Sequence, residues 1–187
     1  GNPVQGTTLD LATGTGDIAA LIEQTYPKAT VLGADFSLNM LAEAKRRFAG
    51  RRIRWQACDA NSLPFDTGTF DAVTFGYLLR NVDEALLVLR EVHRVLKPGG
   101  RVVCLDTTPP EKNLLYPFIR LYFRFGIPVL GRLLADDEAA YAYLTGSTMD
   151  FYSAEELAEL FTEAGFTDVG FKKFMFGTIG VHWGSKK

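Results

Sequence analysis

The chain predicts an α/β fold whose sheet is mostly parallel and closes in a C-terminal antiparallel hairpin. Three observations carry this. Strand-like and helix-like periodicities alternate from Thr7 to Leu105 with short connections, the pattern of βαβ units. The stretch Thr8-Leu9-Asp10-Leu11-Ala12-Thr13-Gly14-Thr15-Gly16-Asp17 passes from an apolar run through a paired-glycine turn into a helical pattern, which presents backbone N–H groups at a helix N-terminus. Thr167 to Phe176 and Thr178 to Trp183 read as strands joined at Gly177, and strands linked so tightly pair antiparallel.

Each element has its own signal. Thr7 to Leu11 is a buried strand. Asp17 to Gln24 is a helix with Ile18, Leu21 and Ile22 on its inner face, closed by Tyr26-Pro27. Thr30 to Ala34 is the second strand, with Asp35 at its end. Ser37 caps a helix expected to turn Met40, Leu41, Ala44 and Phe48 inward and Lys45, Arg46 and Arg47 to solvent. Ile53 to Ala57 is a third strand leading to Cys58-Asp59-Ala60, and Leu63-Pro64-Phe65 makes an apolar turn. Phe70 to Phe75 delivers Gly76-Tyr77 and then Arg80-Asn81. Asp83 to Leu96 is an amphipathic helix stopped by Lys97-Pro98-Gly99-Gly100, and Arg101 to Leu105 is the fifth strand. Ser153 opens a last helix, with Glu156 three residues on in a capping box.

Composition excludes several classes. With 187 residues, 47% hydrophobic and 22% charged, the chain is expected to fold as one globular domain. A net charge of −2 without a basic block excludes a dedicated nucleic-acid surface. Cys58 and Cys104 form neither a disulfide framework nor a metal site and read as buried small hydrophobes, so a reducing, cytoplasmic setting is expected. No secretory signal opens the sequence.

Ligands of open α/β sheets bind beyond the carboxyl ends of the strands. Those ends carry Thr13 to Gly16, Asp35, Asp59-Ala60, Gly76-Tyr77 and Asp106. Asp35 lies 19 residues after Gly16, the spacing at which an acid accepts ribose hydroxyls. Gly14-Thr15-Gly16 with Ala19 also fits a G-x-G-x-x-A dinucleotide fingerprint, so a nicotinamide oxidoreductase stays open as a lesser reading. Two features favour a phosphate-free, cationic ligand. Asp17 would meet an incoming pyrophosphate with negative charge, and Asp59 with Ala60 can take an adenine amine and ring face. A ligand with adenine, ribose, an amino-acid part and positive charge is S-adenosylmethionine.

At this point the residues resemble a family. Leu9 to Asp17 looks like motif I of class I methyltransferases, and Leu96-Lys97-Pro98-Gly99-Gly100 resembles their lead into strand five. More narrowly, Ala12-Thr13-Gly14-Thr15-Gly16-Asp17, Leu79-Arg80-Asn81-Val82, Pro128 to Leu133, Ala140 to Leu144 and Gly180 to Gly184 resemble the ubiquinone/menaquinone biosynthesis C-methyltransferases. The resemblance covers almost the whole chain and implies a Rossmann-like class I methyltransferase sheet in a single domain, 1–187, with a helical lid-like insertion about 111–150. The helices that usually precede motif I in the family are not expected within this stretch of sequence. Leu78, Gly76, Thr145-Gly146 and Tyr152 depart from the family pattern, chiefly on the substrate side.

The expected cofactor site is Thr13, Gly14, Thr15, Gly16, Asp35, Phe36, Asp59, Ala60 and Gly76. The expected substrate site is Tyr77, Arg80 and Tyr141, with Arg80 and Asn81 as catalytic pair and no metal. Carbon methylation needs an electron-rich ring carbon, as in a prenyl quinol or phenol, and a guanidinium beside the phenolic oxygen favours its ionised form. The plainer reading is that Arg80 and Asn81 cap the next helix and pair with Asp83 or Glu84. His93 reads as a surface or boundary residue and His182 as structural, as does Asp10. Other phenolic or natural-product acceptors, and a non-catalytic binding module, are the alternative functions.

The aromatic tract Leu114 to Leu134 places Arg120 and Arg124 on one helical face, and with Arg132 these charges exclude a membrane span. A lid making peripheral membrane contact is one reading. A packed insertion or a homodimer interface is the other.

Overall fold

The computed structural model describes residues 6–109 and 151–187. In chain order the elements are β1 (Thr7–Leu11), α1 (Asp17–Thr25), β2 (Thr30–Asp35), α2 (Leu38–Arg47), β3 (Ile53–Ala57), β4 (Phe70–Gly76), a 3-10 turn (Leu79–Asn81), α3 (Ala85–Val95), β5 (Leu96–Thr107), α4 (Ala154–Glu163), β6 (Thr167–Phe174) and β7 (Ile179–Ser185). The strands form one sheet in the order β3-β2-β1-β4-β5-β7-β6. β1 pairs in parallel with both β2 and β4, so the strand order reverses beside it and opens a crevice at its carboxyl end. β7 inserts between β5 and β6 and is antiparallel to both, as the hairpin reading requires.

The main core lies between the sheet and α3 with α4. Leu9, Leu11, Val73 and Phe75 from the strands meet Val88, Leu89 and Val92 of α3 and Leu157 and Phe161 of α4. A smaller cluster, Ala19, Ala20, Val31 and Ile53, packs α1 against the other face.

Several expectations need correction. In α1 the buried residues are Ala19 and Ala20, while Ile18 and Leu21 are exposed. Close approach of α1 to the sheet needs small residues, so the larger ones are displaced outward. In α2 only Leu41 and Ala44 are buried, and Met40 is exposed. α3 starts at Ala85, not Asp83, because Leu79–Asn81 forms a separate 3-10 turn. β5 begins at Leu96 and includes the Lys97 to Gly100 stretch, since Phe70 already pairs with Leu96 and the register then shifts before Ala72. The Lys186 ammonium caps the end of α3 by donating to the carbonyls of His93 and Leu96, each at 2.8 Å.

The capping box of α4 is present, with Ser153 Oγ accepting from the Glu156 amide and Glu156 accepting from the Ser153 amide. Both histidines are structural. His93 packs edge-on against Phe166, and buried His182 lies 2.9 Å from the Ala154 carbonyl through Nε2. Burial pushes both imidazoles below their ordinary range. The insertion expected about 111–150, with Tyr141, Arg120, Arg124 and Arg132, lies outside the described residues.

Candidate active site

The glycine loop is held from below and from the side. Ala12, just after β1, takes a left-handed conformation at φ 52°, and Gly14 and Gly16 follow at 56° and 88°. Non-glycine residues avoid that region, so Ala12 marks strain at a site the fold over-determines. Thr13 turns its hydroxyl inward and donates to Asp10 Oδ2 at 2.5 Å. Asp10, fully buried, also accepts the Thr74 hydroxyl at 2.8 Å. Burial pushes its carboxyl up to about 6, while the two hydroxyls pull the other way. Asp10 is the loop's anchor.

Asp35 clamps the loop tip. Its Oδ2 accepts the Gly14 amide and its Oδ1 the Ser37 amide, both at 2.8 Å. A Cβ at Gly14 would meet nothing within 4 Å, so that side of the loop is open. A Cβ at Gly16 would stand 2.5 Å from Trp55, which also fills the space left by Gly33. The second glycine thus makes room for an indole from β3, a requirement that sequence spacing does not reveal.

Asp17 does not face a ligand as expected. Arg47 holds both its oxygens, at 2.8 and 2.9 Å, and also reaches the Thr15 carbonyl at 3.3 Å. The Thr15 hydroxyl donates to Asp17 as well. These donors pull the Asp17 carboxyl below its ordinary range. Arg47, expected on a merely solvated face, is a strut of the loop.

Opposite the loop, the chain leaves β4 through Tyr77, left-handed at φ 56°, whose amide donates to the Leu105 carbonyl at 2.7 Å. Asn81 Nδ2 donates back to the Tyr77 carbonyl at 2.6 Å and fixes that bend. The Arg80 guanidinium lies over the Tyr77 ring, 4.9 Å from its centroid, and Nη1 reaches the Thr107 hydroxyl at 3.5 Å. Its ionic partner is Asp106, with Nε 3.8 Å from Oδ1, rather than Asp83 or Glu84. Behind the third strand's exit, Arg94 of α3 donates to the Leu63 and Phe65 carbonyls and Glu91 accepts the Leu63 amide. This fixes the apolar turn that backs Asp59-Ala60.

Between these halves lies a cavity of about 380 Å³. It brings Asp35, Phe36, Asp59 and Ala60 together with Tyr77 and Asn81. Thr13, Gly14, Thr15, Gly16, Gly76 and Arg80, expected at the site, are not in its lining. Leu11, Ala12, Cys58, Asn61, Leu78 and Val82 line it and were missed as site residues. Cys58 was legible only as a buried hydrophobe; burial and the charges of Asp35 and Asp59 push its thiol up to about 11, so it stays neutral. Leu78 was legible as a departure from the family pattern.

The residues fit S-adenosylmethionine. Asp35 and Asp59 offer carboxylates to hydroxyl and amine donors, and Phe36, 80% exposed, offers an aromatic face beside Ala60. No lysine or arginine occurs among the described lining residues, which suits a cation.

Comparison with known proteins agrees. The model of the ubiE/COQ5 methyltransferase family matches residues 2–186. The chain belongs to this family. It is 70% identical over 186 residues to the ubiquinone/menaquinone biosynthesis C-methyltransferase UbiE of Desulfotalea psychrophila, covering all of this chain and 76% of that relative. It is 42% identical over 181 residues to a demethylmenaquinone methyltransferase of Staphylococcus aureus, covering 96% of this chain and 75% of the relative. Among solved structures, phosphoethanolamine N-methyltransferase 2 of Haemonchus contortus superposes with a TM-score of 0.74 at 17% identity, over all of this chain and 50% of that one. That likeness establishes the shared α/β fold. As a ubiE/COQ5 family member, the chain is an S-adenosylmethionine-dependent methyltransferase. Among its described residues no helix is long and apolar enough to cross a membrane.

Proposed function

We propose that this ubiE/COQ5 family chain, as one methyltransferase domain with a lid-like insertion, methylates a ring carbon of a demethylated menaquinol or related prenyl quinol. The observation that carries the reading is the placement of Arg80: a cation, 9% exposed, whose guanidinium stacks on a residue of the cavity wall. The names of the two relatives support the same acceptor class.

When bound, S-adenosylmethionine supplies an electrophilic methyl group on a sulfonium. The chain's task is to hold an electron-rich carbon in line with it and to favour the ionised ring. A phenol ionises near pH ~10, and each unit of lowering is worth ~1.4 kcal/mol. Arg80, in a cleft of low dielectric, supplies positive charge beside the phenolic oxygen. Asn81 holds Tyr77 in its bend, so that the tyrosine ring both walls the acceptor and carries Arg80. Asp35 receives ribose hydroxyls while keeping Gly14 in place, and Asp59, the exposed carboxylate of the wall, takes the adenine amine. Membrane contact and a homodimer interface both rest on the 111–150 insertion.

The test is mass spectrometry of reactions with S-adenosylmethionine and a panel of demethylated naphthoquinols, benzoquinols and simple phenols. Gain of one methyl on a quinol ring carbon is expected. Methylation restricted to other phenols sinks the quinol reading and leaves the second, an acceptor selected by the bulk of Leu78 in the cavity wall. Binding of S-adenosylhomocysteine without any transfer points to a non-catalytic module.

A further inference from the structure

We propose that Asp106 is the positioning residue for the methyl-transfer step: it sets the orientation of Arg80 without meeting the acceptor. The inference rests on the reading of Arg80 as the acceptor-side cation.

Asp106 stands at the end of β5 with no solvent exposure. A carboxylate so placed needs partners, because an isolated buried charge is costly. Its two oxygens are used separately. Oδ2 accepts the amide of Leu79, the first residue of the 3-10 turn that carries Arg80, at 3.1 Å. Oδ1 accepts the amide of Thr107 at 2.8 Å and faces Arg80 Nε at 3.8 Å. One side chain therefore grips both the backbone of the turn and, through charge, the guanidinium that the turn projects.

The Arg80 side is incomplete in a telling way. Nε is buried and finds no hydrogen-bond acceptor among the described residues. Asp106 at 3.8 Å holds it by attraction, not by a direct bond. The other attachments of Arg80 are the Tyr77 ring and the Thr107 hydroxyl, and Thr107 is itself fixed by Asp106. Loss of Asp106 removes the charge and loosens one of the two other groups that hold Arg80, Thr107. Burial pushes the Asp106 carboxyl up to about 6 while Arg80 pulls it down, so the pair is ionised at neutral pH.

An asparagine cannot replace it. An amide has one acceptor oxygen and a donating NH2, so one of the two backbone N–H groups would face a donor. A glutamate keeps both acceptors and the charge, displaced by one methylene.

The experiment is a double-mutant cycle in the full-length protein. The acceptor is a short-chain demethylmenaquinol, and S-adenosylhomocysteine affinity is followed by calorimetry. Asp106→Asn is expected to lower kcat by roughly 10- to 100-fold, with S-adenosylhomocysteine affinity held within about twofold. In an Arg80→Lys background the same change is expected to cost less than about threefold, because the group it positions is already altered. Asp106→Glu is expected to recover part of kcat, and it carries the same cycle if the asparagine variant does not fold.

Losses that multiply in full across the cycle, or an unchanged kcat in Asp106→Asn and Asp106→Glu, overturn the proposal. An unchanged kcat in Arg80→Lys overturns the reading of Arg80 and this inference with it. A slow Arg80→Lys beside an unaffected Asp106 pair of variants overturns the inference alone.

Discussion

At the β1–β2–β3 half of the carboxyl edge, Asp35 and Asp59 hold loop backbone and still line the open cavity. At the β4–β5 half, Asp106 is fully buried, and Arg80, 9% exposed, stacks on Tyr77 of the cavity wall. The first arrangement suits a soluble cofactor that enters and leaves with many hydroxyl and amine donors, because partly hydrated carboxylates can exchange partners. The second suits one demanding task, holding a fixed charge beside a reacting ring, because a charge pair in a low-dielectric site is strong only while its geometry is kept. The two halves also differ in how they store strain. Ala12 and Tyr77 are both left-handed, but Ala12 lies beside glycines that share the turn, whereas Tyr77 is held by Asn81 and its link to Leu105.

Removing the buried cation should give the largest effect. Arg80→Met leaves Asp106 as an unpaired buried charge, and urea denaturation at pH 8 should show a loss of ~3–5 kcal/mol. The loss should shrink as pH falls from 8 towards about 6, because without Arg80 to pull it down the Asp106 carboxyl takes up its proton at a higher pH than in the parent. A loss independent of pH would erase the electrostatic contrast between the halves.

The cofactor half has one buried charge of its own, and it sharpens the contrast. Asp10 has a folded pKa of about 6 against an ordinary 3.8, so the folded state binds its proton more tightly. Its stabilising contribution is complete below pH 3.8 and is lost as pH rises through about 6. Asp10→Asn keeps an acceptor for the threonine hydroxyls, which can also accept from the amide. Relative to this variant, the parent chain should lose on the order of 3 kcal/mol of stability between pH 4 and pH 7. Parallel stability–pH curves would show that Asp10 is not the loop's titrating anchor.

The smallest effect belongs to the exposed strut. Arg47→Ala removes its bonds to Asp17 and Thr15, all at the surface, and thermal unfolding should be unchanged within error because solvent screens the pair. A clear drop in melting temperature would mean that the glycine loop depends on Arg47 as much as on Asp10 and Asp35.

Much of this site was legible in the chain. The strand ends at Asp35 and Asp59, which line the cavity, follow from short periodic segments, since a parallel sheet delivers its ligand residues where each strand stops; Thr13 to Gly16, expected beside them, are not in the lining. Arg80 and Asn81 were legible from position beyond β4 and from family resemblance. Asp17 was misread because its partner, Arg47, lies 30 residues away on another helix. The inward faces of α1 and α2 were misread because apolar spacing marks a face, while the closeness of the helix to the sheet decides whether Ala19 or Leu21 fits beneath it.

By itself, then, the sequence determined the alternation of strands and helices, the carboxyl edge as the site, and a cofactor loop of the methyltransferase kind. These depend on periodicity, turn chemistry and local spacing, which act within a few residues. Only the tertiary structure decided which charges meet. Trp55 beneath Gly16, Arg47 across Asp17, and above all Asp106 beneath Arg80 join residues that lie tens of positions apart. Such pairings are set by strand order and depth of burial, quantities that no stretch of sequence carries alone.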